Sequence, residues 1–139
     1  MTLIKTSSAP DTGNASILLV DDEEFFLDLV REILVELGYE VMAMRSSLAA
    51  LHLFSTAPSE FDVVITDERM PELSGSDLSA QILDIRPDIP VILHTDYPDA
   101  TAVKRARDMG VKAIVGKSSN MKQLISHVRH LLNPESCFC

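Results

Sequence analysis

The chain predicts an α/β fold, a parallel sheet wrapped by helices on both faces, and three observations carry that prediction. Short apolar runs alternate with longer amphipathic stretches, five times over. The spacing leaves no fixed-period repeat. Four of the runs end on chemistry: 17–20 on Asp21 and Asp22, 61–66 on Asp67, 91–94 on Thr95, and 113–116 on Lys117. Strand ends are where open α/β folds bind their ligands.

Residues 1–15 mix Thr, Ser, Pro, Gly and Asn without apolar periodicity and read as a flexible leader. A single domain is expected over 16–132, then a tail over 133–139. The first helix spans about 23–37 and stops at Gly38, with Glu23 and Glu24 at its positive end. Its apolar stripe is Phe26, Val30, Ile33 and Leu37, widened by Phe25, Leu27, Leu29 and Leu34. Strand two is 40–44, and the following helix, capped by Ser46 or Ser47, carries Leu48, Leu51 and Phe54 to an exit at Pro58.

After the third strand, 70–75 is a loop, and Leu78, Ile82, Leu83 and Ile85 form the buried side of the next helix. Pro87 and Pro90 bracket the turn into strand four. Asp99 caps the fourth helix, whose Lys104, Arg105 and Arg107 form a solvated face before Gly110 ends it. Met121, Leu124, Ile125, Val128, Leu131 and Leu132 give the last helix a core stripe.

At 139 residues the chain can bury a core without disulfides. Its net charge of −9 disfavours direct contact with nucleic acid or anionic membrane. Cys137 and Cys139 are too few for a metal site and badly spaced for a bridge. No apolar stretch reaches the ~20 residues of a span, and the N-terminus lacks a signal-peptide core, so a cytoplasmic location is the default.

Hard cations such as Mg²⁺ take oxygen ligands, and one or two carboxylates suffice when phosphate and water complete the shell. Asp22 and Asp67 meet that demand, with Asp21 beside them. A carboxylate also serves as a nucleophile toward phosphorus once a metal offsets anion repulsion, and Asp67, standing alone, is the candidate. Lys117 brings positive charge for phosphoryl oxygens and Thr95 a hydroxyl.

The segments Leu18-Leu19-Val20-Asp21-Asp22-Glu23, Asp67-Glu68-Arg69-Met70-Pro71-Glu72-Leu73-Ser74-Gly75 and Thr95-Asp96-Tyr97-Pro98-Asp99, with Lys117, resemble the receiver domain of bacterial two-component response regulators (CheY-like). The likeness runs from Ser16 to Leu132. It implies a flavodoxin-like sheet of order 2-1-3-4-5 with five helices. It implies that Asp67 accepts a phosphoryl group from a histidine kinase or histidine phosphotransfer protein. Asp21, Asp22, Asp67 and the backbone carbonyl of Arg69 would bind Mg²⁺ or Mn²⁺, while Thr95 and Lys117 engage the phosphoryl oxygens. No enzyme activity is implied beyond self-phosphorylation from a donor and self-dephosphorylation. The output would be a contact with a downstream protein, the fourth and fifth helices serving output and a phosphorylation-dependent homodimer, and Phe25 and Leu29 lying on the donor-facing side.

Departures from the family pattern mark where modulation is expected. Lys117 precedes Ser118 where the family has proline. A cis bond there would cost roughly 2.5–4 kcal/mol, so either contacts compensate or Lys117 points differently. Ile114 stands where the family carries its switch aromatic, with Tyr97 a partial substitute, and Asp96 replaces a small residue. Arg69, two residues past Asp67, is within reach of the acidic pair.

Three rival readings compete with this one. Gly110 to Gly116 encloses five residues where a P-loop needs four, which disfavours an NTPase. A phosphatase with an aspartate nucleophile would carry an acid where Arg69 stands. The alternative retained is a non-phosphorylated pseudo-receiver acting as an interaction module.

Overall fold

The computed structural model describes residues 15–96, 100–118 and 121–133. Ten elements alternate along the chain: β1 (Ser16–Val20), α1 (Glu24–Glu36), β2 (Glu40–Met44), α2 (Ser47–Thr56), β3 (Val63–Thr66), α3 (Gly75–Ile85), β4 (Val91–Thr95), α4 (Ala100–Met109), β5 (Ala113–Gly116) and α5 (Met121–Leu132). A 3₁₀ turn, Pro58–Glu60, follows α2. Every strand pair is parallel, in the order β2-β1-β3-β4-β5. That is the expected topology, with β2 and β5 at the edges.

Alternation along the strands divides the core in two. Ile17, Leu19, Val63, Ile65, Ile92 and Val115 pack with Leu27, Val30 and Leu34 of α1 and with Leu124 and Val128 of α5. Leu18, Val20, Val64, Val91 and Leu93 pack on the opposite face with Phe54 of α2, Leu78 and Ile82 of α3, and Ala106 of α4. Each such side chain contributes about 1.5–3 kcal/mol when fully buried. Burial on both faces explains why the central strands read as unbroken apolar runs.

Local signals set the helix ends. The Ser46 hydroxyl accepts from the Ala49 amide at 3.0 Å and that of Ser74 from Asp77 at 3.0 Å, so both serve as N-caps. Gly38 and Gly110 adopt φ of 103° and 112°, the left-handed conformation in which glycine ends α1 and α4 at little cost. Arg86 staples the exit of α2 to α3, donating from Nη1 to the carbonyls of Pro58 and Phe61 at 2.7 Å each.

The buried line of α1 is Leu27, Val30 and Leu34, with Phe26, Ile33 and Leu37 only half-buried. Glu24 opens the helix with Glu23 at its N-cap, and of the wide apolar stripe the sheet buries the Leu27, Val30 and Leu34 side. Gly75 belongs to the first turn of α3 and not to the loop, while Leu48 and Ile85 face outward. Lys104, Arg105 and Arg107 are exposed as expected, Lys104 pairing with Asp108 at 3.0 Å. The leader up to residue 14, Tyr97, the Asp99 cap, Cys137 and Cys139 lie outside the described residues. Among those described, no helix is long and apolar enough to cross a membrane. No cis peptide occurs among them, so Lys117 leads into Ser118 through a trans bond.

Candidate functional site

The sheet ladder continues one residue beyond its strands and brings the chemistry to one edge. The Asp21 amide donates to Met44 O at 3.1 Å, the Asp67 amide to Val20 O at 3.0 Å, and the Lys117 amide to Thr95 O at 2.8 Å. Asp21 and Asp67 are thereby held side by side at the ends of adjacent strands. Following Ala113 and Val115 on β5, Lys117 points to the α1 and α5 side by strand alternation.

The loop after Asp67 is fixed from three directions. Its Glu68 carboxylate accepts from both the amide and the hydroxyl of Ser76 at 2.8 Å, tying the loop to the start of α3. Glu72 accepts from the Ser46 hydroxyl at 2.8 Å, and the Leu73 amide donates to the Ser47 hydroxyl at 2.9 Å, which ties it to α2. Gly75 sits so close that a Cβ added there would overlap the Asp67 carbonyl. The chain after Asp67 is therefore held against both α2 and α3.

Ligand atoms of Asp21, Asp22 and Asp67 lie within 4.8 Å of one another. Into this cluster reaches the Lys117 ammonium, 2.9 Å from Asp21 Oδ2, 3.2 Å from Glu23 Oε1 and 3.4 Å from Asp67 Oδ2. The Phe26 ring covers it at 4.5 Å from the centroid. Asp21 Oδ1 accepts from the Glu23 amide at 2.9 Å and Asp67 Oδ1 from the Glu68 amide at 2.8 Å.

Burial, and then the charge of Asp21, push the Asp67 carboxyl up to about 6, against the pull of Lys117 and the Glu68 amide. Asp21 is also raised, because burial outweighs its bonds to Lys117 and the Glu23 amide. For Lys117, burial alone lowers the pKa, but Asp21, Asp67 and Glu23 outweigh it and raise it. One ammonium thus serves Asp21, Asp67 and Glu23, with Asp22 beside Asp21 and Asp67. An oxygen-only donor set short of positive charge fits a hard divalent cation.

All five residues expected to carry the chemistry converge on this edge of the sheet: Asp21, Asp22, Asp67, Thr95 and Lys117. Thr95 and Lys117 are buried, as are Asp21 and Asp67, while Asp22 is half-buried. Arg69 is exposed and Asp96 half-buried. Ile114 pairs with Leu93 in register and packs against the core on the α2, α3 and α4 face. Along the chain Glu23 reads as an acid at the positive end of a helix and Phe26 as core, so their contacts with Lys117, like the burial of His94, emerge only in the fold. Burial, then the charge of Lys117, lower His94 to about 4, with Asp96 pulling the other way. Glu23 and Lys117 are 94 positions apart, and only the strand order brings them together.

Comparison with known proteins agrees with this geometry. The family model for the response regulator receiver domain matches residues 17–129. The DNA-binding transcriptional regulator NtrC of Azospirillum brasilense is 32% identical over 86% of this chain, which spans 24% of that relative's length. Among solved structures, a response regulator receiver domain protein from Clostridium thermocellum superposes with a TM-score of 0.80 at 32% identity, covering 87% of this chain and 96% of the other. The BeF3-activated receiver domain of DrrB, a Thermotoga maritima response regulator, gives 0.74 at 30% identity, covering 85% and 97%.

Proposed function

Because this chain belongs to the response regulator receiver domain family, we propose that it is the phosphoacceptor module of a two-component phosphorelay, with Asp67 as acceptor. The observation that carries this reading is the meeting of three carboxylates within 4.8 Å with a buried ammonium that touches two of them. The module extends over 16–132, with 1–15 as leader and 133–139 as tail. The donor is a phosphohistidine on a histidine kinase or a phosphotransfer protein, and the output is a contact with a downstream protein.

Asp67 Oδ2, facing Lys117, attacks phosphorus: a P–O bond to the aspartate forms as the P–N bond to the donor imidazole breaks, and because that ring is protonated on its other nitrogen it leaves as neutral imidazole. Asp67 Oδ1 stays with the Glu68 amide, which fixes the angle of the carboxylate. Lys117 then pairs with phosphoryl oxygens and Thr95 donates its hydroxyl to one of them. Asp21, Asp22, Asp67 and the carbonyl of Arg69 would hold Mg²⁺ or Mn²⁺, which offsets the repulsion between the two anions. The new acyl phosphate shifts an existing equilibrium between two surfaces.

Intact mass after incubation with Mg²⁺ and acetyl phosphate tests the reading. A labile phosphoryl adduct is expected on wild type and none on Asp67→Asn. Wild type without an adduct, under conditions where the cation binds, would favour the pseudo-receiver instead.

A further inference from the structure

The Lys117 ammonium has three N–H donors and lies within ion-pair distance of three carboxylates, donating a hydrogen bond to Glu23 at 3.2 Å. With its side chain only 1% exposed, water cannot supply a fourth arrangement. A phosphoryl oxygen therefore gains Lys117 only by displacing a carboxylate. Asp21 makes the shortest contact and both partners are buried, so separating them leaves an unpaired buried charge. Asp67 Oδ2 is the attacking oxygen itself. Glu23, 49% exposed, can return its carboxylate to water at small cost.

We propose that Glu23 is a resting-state tether on Lys117, competing with the incoming phosphoryl group for the ammonium and thereby slowing the loading of Asp67. The proposal rests on Asp67 being the acceptor. Competition and charge repulsion act in the same direction, since Glu23 adds a further negative charge beside the path of a dianionic donor. Phe26 stays over the ammonium when the tether lets go, so release need not disorder Lys117. The Glu23 backbone is anchored separately, through its amide to Asp21, which leaves the loop in place when the side chain changes.

The test is the rate of adduct formation from acetyl phosphate at saturating Mg²⁺ for wild type, Glu23→Gln, Glu24→Gln and Asp67→Asn in the full chain. Glu23→Gln is expected to load roughly 2- to 5-fold faster, the scale of a half-exposed ion pair. Glu24→Gln removes the same charge one residue away, where it faces Arg45 at 3.7 Å, and is expected to match wild type. A titration with beryllofluoride, read from amide shifts around Lys117, should tighten by the same factor. Loading by Glu23→Gln at or below the wild-type rate overturns the tether, as does an equal gain in Glu24→Gln. Absence of any adduct on wild type overturns the acceptor reading and the tether with it.

Discussion

Replacing Asp67 by Asn should make the protein more stable at neutral pH, by an amount that vanishes in acid. In the folded chain the Asp67 carboxyl titrates at about 6, against 3.8 for the unconstrained group. The gap between 3.8 and about 6 corresponds to about 3 kcal/mol. Because the folded pKa lies above the unfolded one, the unstrained stability is present below about pH 4 and is lost as pH rises through about 6. Asn keeps an oxygen for the Glu68 amide and carries no charge, so it escapes that loss, and Lys117 retains Asp21. Urea unfolding followed by far-UV circular dichroism in EDTA, from pH 4 to 8, measures the effect. The gap between variant and wild type should open from near zero to about 3 kcal/mol with an unchanged m value. Mg²⁺ should then narrow it by stabilising wild type more. A gap independent of pH, or a wild type more stable at pH 8, would refute the electrostatic account of the pocket.

Three further outcomes are expected. His94 should titrate near 4 by NMR; its stability contribution is present above about pH 6.5 and is lost on acidification toward 4, by about 3 kcal/mol, and His94→Leu should flatten that limb. Gly75→Ala should push α3 away from Asp67, lowering the unfolding free energy by about 1–3 kcal/mol and cutting adduct formation; normal loading would show that the close approach is dispensable. Arg86→Ala should strand the Pro58 and Phe61 carbonyls and cost about 1–3 kcal/mol in urea denaturation while leaving the loading rate of Asp67 unchanged.

Much of the architecture follows from the chain alone, because its signals are local. Apolar runs buried on both faces announce the strands, glycines at Gly38 and Gly110 end helices, and Ser46 caps one, each within a few residues of the feature it sets, whereas the Ser74 cap was read only as loop. That Asp21, Asp22, Asp67, Thr95 and Lys117 would gather at one edge of the sheet was legible for a related reason: each stands where an apolar run ends. The face that α1 buries was harder. Of the wide apolar stripe read along α1, the sheet buries Leu27, Val30 and Leu34 and leaves Phe26, Ile33 and Leu37 half-buried, a choice made by how the helix docks on the sheet.

What tertiary structure alone decided is the pairing of groups far apart in the chain. Sequence order sets which residues end the strands, but the crossing of the sheet sets which of those ends face one another. Lys117 reaches the acidic pair from the far edge strand, where it meets Glu23 and the face of Phe26. Without proline after it, Lys117 is held instead by charge and by an aromatic ring from the first turns of α1. Burial of that arrangement in a low-dielectric edge turns ordinary carboxylates into strained ones. No pattern of neighbours along the chain encodes it, because the electrostatic energy depends on distances that exist only once the sheet has closed.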